Sequence, residues 1–174
     1  FFVNDKNDPI VETYSKIFPK LFKPMSEMNA DLVSHLRYPQ TLFSVQAAIY
    51  QKYHMQDAQV FYNQEDLWTI PKQIMDGKQI PMVPYYTIMK FPDSKKEEYI
   101  LMLPYTPSQK DNMIAWMAAR SDAPNVGELM VYQFPKEKLI YGPMQIEARI
   151  DQDPVISQQF KLWERQGSRI IRGS

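Results

Sequence analysis

The sequence predicts an α+β fold, with several short helices packed on a small antiparallel sheet that includes a hairpin near residues 84–103. Three observations carry this reading. Apolar residues recur at helical spacing toward both ends of the chain and with period two in the middle. No strand–helix–strand rhythm of the kind that builds a parallel sheet is present. Fourteen prolines against five glycines are spread along the whole length, so they punctuate elements and do not mark a linker. Residues 1–174 therefore read as one folded unit.

The elements follow in order. Asp8-Pro9 is an N-cap followed by a first helical residue, where the missing proline N–H costs nothing, and the helix runs to about Phe18 before Pro19. Ala30–Leu36 is a short helix with Asn29 or Asp31 at its free amides, ended by Tyr38-Pro39. Gln40–Tyr53 carries two apolar stripes, Leu42, Val45, Ile49 and Phe43, Ala47, Tyr50, which predicts a helix sandwiched in a core. A shorter helix follows at Ala58–Tyr62, then a loop, NQEDLWTIP. Tyr85–Phe91 and Tyr99–Leu103 alternate on either side of PDSKKE, the pattern of an antiparallel hairpin.

Ser108-Gln109-Lys110-Asp111 resembles a capping box and predicts a helix over Asn112–Arg120, with Met113, Ile114, Met117 and Ala118 on one face. Leu129–Phe134 reads as a strand. Pro143–Ile150 reads as a helix, and Pro154–Gln166 as an amphipathic one with Ile156, Phe160 and Trp163 on its apolar side and Gly167 just past its end. Ser168–Arg172 is expected to add a short strand.

Totals exclude several function classes. Twenty basic and twenty acidic residues cancel, leaving no cationic surplus for a phosphate backbone, so no nucleic-acid partner is expected. Absence of cysteine removes disulfides, thiolate nucleophiles and thiolate-held zinc. No stretch holds the ~18 uninterrupted apolar residues of a membrane span, and the opening FFVNDKNDP is unlike a signal peptide. The chain reads as a piece of a longer protein.

The acidic junction Glu147, Asp151, Asp153 falls within seven residues and is the one candidate for a carboxylate or metal site. Asp153 precedes a proline, which pushes it out of the helical region and makes it an N-cap, a role worth about 1 kcal/mol without any ligand. Glu147 and Asp151 share a face if the preceding helix continues that far. Like charges so placed destabilise a helix by roughly 0.2–0.5 kcal/mol unless the helix stops, a basic residue such as Arg149 intervenes, or an ion binds. A hard-cation site needs about six oxygen ligands, so a structural junction is the expectation and no metal or cofactor is assigned.

Other candidates are weaker. His35 has Asp31 one turn earlier as an ion-pair partner, and His54 continues the Phe43 stripe; neither has zinc-ligand spacing. No Gly-x-Ser-x-Gly elbow accompanies Ser34 or Ser44, and glycines 77, 127, 142, 167 and 173 form no phosphate loop. Eleven methionines fit core filling better than soft-metal binding. The aromatics of VFYNQEDLW and VPYY could clasp a ligand, though buried packing is the commoner use.

The runs RYPQTLFSVQAAIYQKYHM, VFYNQEDLWTIP, NMIAWMAARSD and YGPMQIEARIDQDPVISQQFKLWERQGSRIIRG resemble the bacterial membrane proteins grouped as Uncharacterised Protein Family 0182. The likeness covers nearly the whole chain. It carries no activity and no catalytic residues. It implies a setting: several N-terminal transmembrane helices followed by a large hydrophilic region outside the cytoplasmic membrane, of which this chain would be a part. The partners so implied are the protein's own transmembrane region, its remaining extracytoplasmic segments and an envelope ligand. A binding or assembly role leads, with a carboxylate- or metal-dependent enzyme acting on an envelope component as the alternative. Self-association is a third possibility, since zero net charge opposes it little.

Overall fold

The structure is a computed structural model that describes residues 1–75, 78–91 and 94–168, with Met75 described in its main chain only. Strand β1 (Phe2–Val3) pairs in parallel with β2 (Lys23–Pro24), and helix α1 (Pro9–Ile17) forms the excursion between them. The cap expected of Asp8 is present: its Oδ1 accepts from the N–H groups of Ile10 and Val11 at 2.8 and 3.1 Å. After a 3-10 turn at Met25–Glu27 comes α2 (Ala30–Ser34), where Asn29 Oδ1 accepts from the Asp31 N–H at 2.8 Å. Helix α3 spans Gln40–Tyr53, and α4 spans Ala58–Asn63 with Asp57 as its N-cap.

The strands are β3 (Trp68–Thr69), β4 (Lys72–Met75), β5 (Lys78–Pro81), β6 (Tyr85–Lys90), β7 (Glu97–Pro107), β8 (Ala115–Arg120) and β9 (Leu129–Gln133). Strands β4 and β5 form a separate antiparallel pair. The main sheet runs β3-β7-β8-β9, with β6 also on β7. Its centre is the long β7, whose first half pairs with β6 and whose last residues pair with β3. The expected hairpin is there, as Tyr85↔Met102 through Lys90↔Glu97; residues 92–93 of its turn lie outside the described residues.

The helix expected over Asn112–Arg120 is a strand instead. Ala115–Ala119 are all buried, so this run has no polar positions to distinguish a helical from an extended period. Placed between β7 and β9, its backbone groups find ladder partners on both sides, and this outweighs the modest helix preference of Ala and Met. The segment read as a capping box becomes the β7–β8 connection, where the Ser108 N–H donates to Leu67 O and that of Lys110 to Pro107 O.

Register assigns the two faces of the sheet. Leu101, Leu103 and Tyr105 oppose Ala119, Met117 and Ala115, and this face packs on α3 through Phe43 and Ala47. The Tyr105 hydroxyl donates to Ala47 O at 2.9 Å, and burial raises its pKa well above the ordinary tyrosine value. Trp68 lies in the same cluster, stacked on His54 at 3.7 Å between ring centres. The other face shows Ile100, Met102 and Pro104 opposite Arg120, Ala118 and Trp116. Only one α3 stripe is covered, contrary to the sandwich expected: Leu42, Val45 and Ile49 remain 46, 51 and 48% exposed.

Helices α5 (Pro143–Gln152) and α6 (Pro154–Arg165) close the described chain, and Gly167 takes φ +80° just past the end of α6, as its position predicts. The strand expected at Ser168–Arg172 lies outside the described residues from 169 onward.

Candidate functional site

Asp153 stands at φ −71°, ψ 118° between α5 and α6, in the extended region its following proline demands. Its Oδ1 accepts from the Val155 and Ile156 N–H groups at 2.9 and 3.0 Å, so this carboxylate serves the backbone beside it. Helix α5 continues through Asp151, which is exposed, while Glu147 is half-buried on the inner side; each has an interaction partner. Arg149 turns away to Tyr141, donating to its hydroxyl at 2.7 Å with the guanidinium 4.2 Å from the ring centre. The three acidic residues thus divide between a cap, a surface position and an inner wall. Among the described residues no group of three His, Asp or Glu side chains is placed to hold a metal ion.

Neither histidine is arranged as a base with a carboxylate behind it. His54 Nδ1 meets Tyr50 O at 2.9 Å and its ring stacks on Trp68. His35, the C-cap of α2, reaches the main-chain oxygen of Asp31 at 2.6 Å and not the expected carboxylate, because a helix this short leaves its own carbonyls open to the ring.

What the sequence did not indicate is a cleft of about 330 Å³ between α5 and the second face of the sheet. Met89, Met102, Pro104 and Trp116 form its floor; Ile146, Glu147 and Ile150 of α5 form a wall, and Gln73 and Ile74 of β4 another. The helix is held off the floor by its lead-in. An added Cβ at Gly142 would collide with the carbonyl of Asp111, so only glycine lets these two backbones approach. Beside it, Met113 and Ile140 form an isolated antiparallel bridge. The Gly142 N–H donates to Gln145 Oε1 at 3.1 Å, closing the first turn.

Next to this floor Arg120 binds Glu98 with two hydrogen bonds, Nε to Oε2 at 2.7 Å and Nη2 to Oε1 at 2.6 Å, and reaches Glu128 at 2.9 Å. The hydrogen bond to Glu98 is the main cause of its raised pKa, with burial opposing it. The network ties β7, β8 and the 121–128 loop together, and residues 98 and 120 meet through the β7–β8 register, which the sequence spacing does not show.

The pattern of the family described as "Uncharacterised protein family (UPF0182)" matches residues 1–163. The chain belongs to UPF0182. A UPF0182 protein of Pelotomaculum thermopropionicum is 57% identical over all 174 residues, and one of a Sulfurovum species is 58% identical over the same length. In Microcystis aeruginosa a UPF0182 protein is 58% identical over 173 residues, 99% of this chain. The chain spans about a fifth of these relatives, 19% of the first two and 18% of the third. No solved structure matches. No helix of the described residues is long and apolar enough to cross a membrane.

Proposed function

We propose that this UPF0182 segment is an extracytoplasmic binding or assembly module of a bacterial multi-pass membrane protein, docked against the remainder of its own longer polypeptide. The observation that carries the reading is the outer face of α3. Leu42, Val45 and Ile49 recur at spacings of three and four, Ala48 and Tyr53 extend the stripe, and all five are exposed. From Gln40 to Gln51 the helix holds no charged residue. A surface helix normally sets charged side chains opposite its core face, and an uncharged exposed stripe at this spacing suits a second helix laid along it.

The partner comes from the same polypeptide because about four-fifths of the relatives' length lies outside this segment. Ile10, Tyr14 and Ile17 of α1 are exposed apolar residues as well. The carboxylates give the enzymatic alternative no support, since Asp153 is engaged as a cap.

The test uses the full-length protein in native membranes, with any other cysteines replaced. Val45→Cys should react with maleimide at least tenfold more slowly than Gln109→Cys, which lies on an exposed turn. A membrane-impermeant maleimide added to cells with a permeable outer layer and an intact inner membrane should label Gln109→Cys. Equal rates at the two positions remove the docking, and labelling of Gln109→Cys only after lysis of the inner membrane removes the location.

A further inference from the structure

We propose that the cleft between α5 and the sheet is a binding site for a single unbranched alkyl chain of about ten carbons. The cleft exists because α5 is anchored at a distance. Gly142 against Asp111 and the Met113–Ile140 bridge fix its start, and no residue of the helix is fully buried. Ile146 lines an apolar hollow yet remains 48% exposed. Anchoring of this kind leaves a preformed space in place of a closed core.

Size sets the length of the occupant. A methylene group takes about the share of liquid volume of a water, ~30 Å³, so roughly eleven such groups fill the cleft.

Chemistry narrows it further. Met89, Met102 and Pro104 of the floor offer no conventional side-chain hydrogen-bond donor beside the Trp116 indole, and Met82 and Met113 add two more flexible thioethers to the lining, side chains that conform to a bent chain. Gln73, Tyr141 and Glu147 bring polar groups to the lining. The tail is the shared element; the head is either anionic or uncharged.

The test is calorimetric titration of the full-length protein in lipid nanodiscs, with the signal of empty nanodiscs subtracted, using saturated fatty acids of eight to fourteen carbons and separately the matching monoacylglycerols, all below their aggregation thresholds. Affinity should rise about fourfold per added methylene up to ten or eleven carbons and then level off. Whichever series binds more tightly identifies the head. Ile150→Trp, or Met102→Phe should the first not fold, fills the cleft and should weaken binding at least tenfold with the melting temperature kept; Thr41→Ala, exposed on α3 against the opposite face of the sheet, should change nothing. Absence of saturable binding in both series overturns the proposal. So does affinity that keeps rising to fourteen carbons and is indifferent to the filled cleft, the behaviour of surface adsorption.

Discussion

Replacing Glu98 by alanine tests the account of how the sheet is held together. The Glu98 side chain is 10% exposed and that of Arg120 is 18%, and they share two charge-assisted hydrogen bonds. Removing one partner of a buried pair costs about 3–5 kcal/mol because the other charge is left uncompensated. Arg120 would keep Glu128, so the lower end applies, about 3 kcal/mol. For a chain of this size that is a fall in melting temperature of roughly 6–12 °C.

Glu128, with its side chain 56% exposed, should cost under about 1 kcal/mol when replaced by alanine, and molar salt should erase its effect while sparing that of Glu98. The double variant Glu98→Met, Arg120→Met removes both charges and should recover most of the loss. Arg120 has a raised pKa, so its contribution is fully present below the ordinary arginine range and is lost only as pH rises through the folded value. The Glu98→Ala penalty should accordingly be level between about pH 6 and 9. Urea unfolding followed by tryptophan fluorescence measures all of these. Equal losses for Glu98→Ala and Glu128→Ala, or a double variant as weak as the sum of the singles, would refute the reasoning.

Two further outcomes are expected. Tyr105 has its pKa raised by burial, so its contribution is intact below pH ~10 and declines above it, as the unfolded chain ionises first, by up to about 1.4 kcal/mol per pH unit; Tyr105→Phe should flatten the alkaline arm of the stability curve, and an unchanged slope would show that other groups set it. Asp153→Ala should destabilise by about 1 kcal/mol, whereas Asp153→Asn, which caps as well, should be nearly neutral; chemical denaturation of the pair separates capping from any need for charge, and equal losses would count against the cap.

Determined by the sequence alone were the features whose causes lie within a few residues. Asp8-Pro9 and Asp153-Pro154 start helices because the aspartate oxygen and the proline ring act on the adjacent backbone, and the hairpin arms from Tyr85 to Leu103 show their alternation directly. The resemblance to UPF0182 was legible in the same way, as residues in order. Tertiary structure decided whatever depended on neighbours distant in the chain. Ala115–Ala119 became a strand because β7 and β9 were there to complete its ladder, and a uniformly buried run carries no period of its own. Which stripe of α3 met the core, and that the other stayed open, followed from where the sheet lay. The cleft beneath α5 follows from an approach of Gly142 to Asp111 across thirty-one positions of sequence. A void is set by the spacing between elements, and local residue preferences do not encode that spacing.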